Sequence, residues 1–189
     1  MQIAVADGSE EIEFSSSLDC LVRGGVSVTV ASVMSHKVCK LSRGMKVEAD
    51  LLLDEIPYGS EFDVIVLPGG IPGADHLAGS ENLVKMLKEQ KSKGKWYAAI
   101  CASPAVVFKR KGIVSTETIV CYDHKSFTDI VGKMPRDRVV VSGKCITSVG
   151  PGSAIDFGLG IVECLVGKDK ADKIAKEMMV ESRIYPVFH

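Results

Sequence analysis

The sequence predicts a single α/β domain in which a mainly parallel sheet carries helices on both faces. Three observations lead there. Short runs rich in β-branched residues alternate along the chain with stretches of helical spacing, the pattern of strand-helix-strand units. Several of those runs are almost continuously apolar, as strands buried on both faces are. The 189 residues supply one sizeable core, and no repeat, low-complexity tract or Pro/Gly/Ser-rich linker divides them.

Residues 2–6 open the chain with a strand, and 11–23 have helical spacing, with acidic side chains in the first turn where the helix dipole favours them. A strand follows over 26–33. Residues 38–41 and 45–48 flank Ser42-Arg43-Gly44 and predict a small hairpin. Next come a strand at 62–67, a helix at 81–93, a strand at 96–100 and a helix at 104–111 opened by Pro104. Strands at 118–121, 139–141 and 145–149 precede helices at 151–166 and 170–180. Residues 181–189 lose the helical pattern and carry Pro186, so the domain is expected to span 1–180 and to end in a tail that packs loosely or crosses the surface.

Composition narrows the function. Twenty-three basic residues against 24 acidic ones leave a net charge of -1, so nucleic acid and anionic membranes are not expected partners. No apolar stretch approaches the ~18 residues of a membrane span, and the start lacks a basic segment leading into an apolar run; a cytoplasmic protein is expected. The six cysteines contain no C-x-x-C pair, which argues for reduced thiols rather than a zinc site or a dithiol redox motif. Cys20 and Cys164 fall in helical patterns and Cys121 and Cys145 in strand runs, and all four read as core; Cys39 is open between core and surface. The histidines form no cluster with cysteines or carboxylates, so no metal is expected. No cofactor is expected either.

In an open parallel sheet, ligands bind beyond the carboxyl ends of the strands. Three segments follow predicted strands at once: 7–13, Pro68-Gly69-Gly70 and Cys101-Ala102-Ser103. Cys101 ends a buried-looking strand and precedes small residues and a proline, which places its thiol on a sharp strand-to-helix turn facing unpaired N–H groups. That context makes it the candidate nucleophilic, low-pKa and oxidisable cysteine. Gly69 and Gly70 permit a turn whose N–H groups face a ligand. Glu13, beside Phe14, points either to solvent or into the core, where desolvation would raise its pKa.

The ordered set Gly8-Ser9-Glu10-Glu11-Ile12-Glu13, Leu67-Pro68-Gly69-Gly70, Ala99-Ile100-Cys101-Ala102 and Ser148-Val149-Gly150-Pro151-Gly152-Ser153 resembles the DJ-1/ThiJ/PfpI superfamily, closest to the DJ-1/ThiJ branch, over about residues 2–180. The resemblance implies a flavodoxin-like sandwich, a homodimer, and Cys101 as nucleophile and oxidation sensor hydrogen-bonded by Glu13. It implies an oxyanion site at the backbone of Gly70 and Ala102, a segment near the site at Gly150 and Pro151, and two basic positions on the dimer side, Arg23 and Arg43. Protease-like relatives carry histidine where this chain has Ala102, so peptidase activity is not expected. Another frequent family histidine corresponds to Tyr122, followed here by Asp123 in place of proline, and either Tyr122 or His124 lines the pocket.

The implied activity is conversion of small aldehyde substrates, α-oxoaldehydes such as methylglyoxal and glyoxal, to hydroxy acids without glutathione (glyoxalase III or deglycase-like). The alternative is a redox sensor or stress-protective chaperone whose Cys101 is oxidised to a sulfinate. A thiamine-pathway role has only the ThiJ name behind it, since Gly69-Gly70 lacks the lysine and hydroxyl of a phosphate-binding loop.

Overall fold

The computed structural model describes residues 1–57 and 59–189. Eight strands form one sheet in the order β10-β8-β9-β7-β6-β1-β2-β5. They are β1 (Gln2–Val5), β2 (Thr29–Ser32), β5 (Leu51–Leu52), β6 (Val64–Leu67), β7 (Trp96–Ile100), β8 (Val139–Ser142), β9 (Cys145–Ser148) and β10 (Val187–Phe188). Every pairing is parallel except β8 with β9. All residues of β1, β6, β8 and β9 are buried, which requires cover on both faces and accounts for the continuously apolar run of β6 and the largely apolar β1 and β8. The expected hairpin is present as β3 (Val38–Lys40) and β4 (Lys46–Glu48), paired antiparallel outside the main sheet.

Two groups of helices supply the cover. In one, α1 (Glu11–Arg23), α5 (Ala154–Val166) and α6 (Lys168–Glu177) pack together; the other contains α2 (Gly73–Gly79), α3 (Glu81–Ser92), a π-helix at Pro104–Lys109 and α4 (Lys125–Val131). Helix α1 is capped by the Glu10 side chain, which accepts from the Glu13 N–H at 2.9 Å, and it buries Glu13, Phe14, Ser17, Cys20 and Leu21 along one stripe. Gly158 lets α5 come close to it: a Cβ there would lie 2.8 Å from Cys20 Cβ.

Some expectations need correction. Residues 118–121 are not a strand: the N–H groups of Thr118 and Val120 donate to the hydroxyls of Ser142 and Thr147, at 3.1 and 3.0 Å, instead of entering a ladder. Cys39 is fully buried with Sγ 3.2 Å from Ser32 Oγ. The helix after Cys101 is wound as a six-residue π-helix. Residues 181–189, read from the sequence as a tail, are tied to the body of the domain. The Arg183 guanidinium, 4% exposed, pairs with Glu163 at 2.5 Å and with Asp172, the Ile184 N–H donates to Asp156 at 2.9 Å, and β10 pairs with β8. Among the described residues, no helix is long and apolar enough to cross a membrane.

Candidate active site

The strand order places β1 between β6 and β2, so the chain winds in opposite directions from β1 and a crevice opens at the carboxyl ends of the central strands. The loops after β1, β6 and β7 meet there. Two hydrogen bonds tie them together: the Glu10 N–H donates to Gly69 O at 3.1 Å, and the buried Ser103 hydroxyl donates to Pro68 O at 2.5 Å. Gly70 has φ +83°, and a Cβ on it would lie 2.4 Å from Gly8 O, so only glycine allows this approach.

Cys101 sits at the centre with φ 65°, a left-handed conformation that costs a non-glycine residue about 1–3 kcal/mol. Backbone bonds on both sides hold it there. Its N–H donates to Ser148 O at 3.0 Å, and its carbonyl accepts from the Tyr122 N–H at 2.8 Å. The turn directs the sulfur toward the backbone N–H groups of Gly70 and Ala102 and toward the carboxyl of Glu13. Gly69 makes the close approach possible, since a Cβ there would lie 2.7 Å from Cys101 Cβ and 2.9 Å from Glu13 Oε2.

Glu13 points inward and is fully buried. Its Oε2 accepts from the Gly69 N–H at 2.7 Å, whereas Oε1 is buried without a well-formed hydrogen bond, which leaves it as the oxygen to carry a proton. Burial pushes the carboxyl up to about 7, against the pull of the Gly69 and Cys101 hydrogen bonds. Burial, and then the charge of an ionised Glu13, push the Cys101 thiol upward as well, while the Gly70 and Ala102 N–H groups pull it down. The expectation of an acidic thiol is therefore corrected: burial alone already opposes the thiolate. Once Glu13 holds the proton its repulsion disappears, and the N–H groups facing the sulfur are left to work against burial alone. The two groups act as one proton-sharing pair.

A cavity of about 270 Å3 opens beside the thiol, lined by Cys101, Gly70 and Ala102 together with Arg43, Tyr122 and Pro151. Tyr122 thus lines it, whereas the His124 ring caps α4, its Nδ1 lying 2.7 Å from Ser126 Oγ. Gly150 backs Tyr122, its absent Cβ leaving 3.2 Å to the ring. Arg23 lies elsewhere, on the exposed side of α1 in an ion pair with Asp19 at 2.8 Å. Sequence reasoning missed Glu10, Ser42, Ile71 and Phe127 as lining residues and Ser103 as the tie between loops. The glycine-acid run before α1 was the signal for Glu10; Phe127 left none, because α4 buries no residue.

The other thiols differ. Burial pushes Cys121 up to about 11 and Cys20 and Cys164 up to about 12. Larger grooves lie along α3, where no cysteine contributes, and around Trp96 and Cys164, where no carboxyl-thiol pair forms. Among the described residues, no three His, Cys, Asp or Glu side chains are grouped to hold a metal.

Known proteins share this arrangement of elements. The chain is 43% identical to the solved structure of oxidized Toxoplasma gondii DJ-1, with a TM-score of 0.89 over 94% of this chain and 96% of that one. It is 40% identical to Protein DJ-1 homolog B of Arabidopsis thaliana over 94% of its own length, although it spans only 40% of that longer relative. It is 37% identical to Glutathione-independent glyoxalase DJR-1.2 of Caenorhabditis elegans over 91% of each chain. The model of the DJ-1/PfpI family matches residues 1–164, a stretch that includes β1, β6 and β7 and the three loops around Cys101, and the chain belongs to that family.

Proposed function

We propose that the protein converts α-oxoaldehydes to α-hydroxy acids without glutathione or another cofactor, using Cys101 as nucleophile and Glu13 as proton shuttle. The observation that carries this reading is the buried Glu13 carboxyl, its pKa near 7, beside a thiol faced by two backbone N–H groups. The glyoxalase name of the Caenorhabditis elegans relative supports it.

The Cys101 sulfur attacks the aldehyde carbon and a hemithioacetal forms, its oxygen held by the N–H groups of Gly70 and Ala102. Glu13 removes the proton from that carbon and a proton is returned to the neighbouring carbonyl carbon, giving a thioester of the hydroxy acid. Water cleaves the thioester and restores the thiol. One carbon is oxidised and its neighbour reduced, so the sum is oxoaldehyde plus water giving hydroxy acid, with no external oxidant. A pKa near 7 lets Glu13 act in both directions at neutral pH.

The test is lactate formation from methylglyoxal without glutathione by wild type, Cys101→Ser and the control Cys121→Ser. Loss confined to Cys101→Ser is expected. A second reading, a redox sensor, draws support from the Glu13–Cys101 hydrogen bond, since a protonated Glu13 would donate to a sulfinate formed on Cys101. No lactate from any of the three, with stable sulfinate forming on Cys101 under peroxide, would select it.

A further inference from the structure

The cavity beside Cys101 exceeds what the smallest α-oxoaldehydes need. Its volume is about 270 Å3, whereas a three-carbon oxoaldehyde has five heavy atoms and replaces little more than two or three waters of about 30 Å3 each. The lining of the remaining space is specific. Tyr122 lines it as a residue 45% exposed, and Phe127 meets its ring edge to face, with ring centroids 6.4 Å apart and planes at 75°. Half-exposed Ile71 adds an apolar side chain from the loop that carries Gly70.

These rings are anchored. The Tyr122 N–H donates to the carbonyl of Cys101 itself at 2.8 Å, which ties the ring's backbone to the residue of the nucleophile. Gly150 packs behind the ring, and the His124 ring lies 6.1 Å from Phe127. An aromatic residue held in this way and nearly half exposed on the cavity wall offers a ring on which a planar apolar group stacks. The charged residues on the lining, Glu10 and Arg43, are of opposite sign, so the cavity has no charge of one sign to select an ionic substituent.

We infer that the site prefers α-oxoaldehydes bearing an aromatic substituent over methylglyoxal, and that Tyr122 and Phe127 set the preference. The inference rests on the proposed oxoaldehyde chemistry and leaves it unchanged: the substituent is carried by the carbonyl carbon next to the one Cys101 attacks. An aryl oxoaldehyde plus water gives the aryl hydroxy acid, with the same internal transfer of oxidation state.

The experiment measures initial-rate kcat/KM for phenylglyoxal and methylglyoxal without glutathione, quantifying mandelate and lactate, in wild type, Tyr122→Ala, Tyr122→Phe and Phe127→Ala. A phenyl-to-methyl ratio of about tenfold or more is expected in wild type, the discrimination an added apolar group earns in a fitted pocket. The ratio should fall toward one in both alanine variants and persist in Tyr122→Phe, which keeps the ring. Lactate formed at a wild-type ratio near one, or a ratio that neither alanine variant moves, overturns the inference and leaves the reaction standing. Neither product from wild type overturns the reaction, and the inference with it.

Discussion

Replacing Glu13 with glutamine removes the proton while keeping the hydrogen bonds. The amide oxygen still accepts from the Gly69 N–H, which now donates to Oε2 at 2.7 Å, and the amide nitrogen takes the place of Oε1. A carboxyl moved from 4.5 to about 7 on folding represents about 3 kcal/mol, at about 1.36 kcal/mol per pH unit. Because the folded value is the higher one, the stability Glu13 contributes is complete below about pH 4.5 and is lost as pH rises through about 7. Glutamine suffers no such loss. In urea unfolding at a series of pH values, the stability of Glu13→Gln relative to wild type should therefore rise by about 3 kcal/mol from pH 4.5 to 8. Cys101 should also be alkylated faster at pH 7 in the variant, since no carboxylate opposes the thiolate, while turnover of methylglyoxal falls by about 10²–10⁴-fold. A difference in stability that does not change with pH would refute the assignment of a buried, proton-holding carboxyl. Full turnover by the folded variant would remove Glu13 from the mechanism.

Gly69→Ala places a Cβ 2.7 Å from Cys101 Cβ and 2.9 Å from Glu13 Oε2, and the resulting displacement should lower turnover by about 10²-fold; wild-type rates in a folded variant would contradict the crowding. Ser103→Ala leaves the Pro68 carbonyl without its buried donor and should cost about 1–3 kcal/mol in urea unfolding, an unchanged midpoint arguing that the tie contributes nothing. Arg183→Met takes from Glu163 its guanidinium partner, leaves Asp172 with Lys168 alone, and should lower the urea-unfolding midpoint while exposing residues 181–189 to limited proteolysis; unaltered resistance would show that β10 holds without the ion pairs.

The sheet and the site differ in how far they could be read in advance. Helix α1 and β7 fall at 11–23 and 96–100 as predicted, because burial of one stripe in the first and of nearly all the second leaves a clear apolar pattern. Helix α4 buries nothing and so has no stripe to detect, and α2 begins and ends in glycine. At 118–121 the apolar run is real, but its N–H groups bond to hydroxyls from neighbouring strands, a choice that depends on tertiary contacts. Cys101 was legible because a strand, a cysteine and a proline adjoin in sequence. The inward face of Glu13 was not, since Glu13 and Phe14 are both buried and spacing cannot rank them. Tyr122 and His124 separate only once the Tyr122 N–H is seen on the Cys101 carbonyl and the His124 ring at the start of α4.

The burial of cysteine in this fold has a practical side. Five of the six thiols are buried and Cys164 is half-buried, yet Cys101 opens onto the cavity. Cys164 borders a groove of its own, so a brief pulse of alkylating reagent adds at most two labels to a folded molecule and six to an unfolded one, and intact-mass spectra report the folded fraction directly, without a spectroscopic baseline. The same difference governs damage: an oxidant meets two sulfurs at most in the native chain, Cys101 and Cys164, whereas a denatured chain offers six for intermolecular disulfides, so covalent aggregation in a stored sample tracks lost folding more closely than oxidant dose.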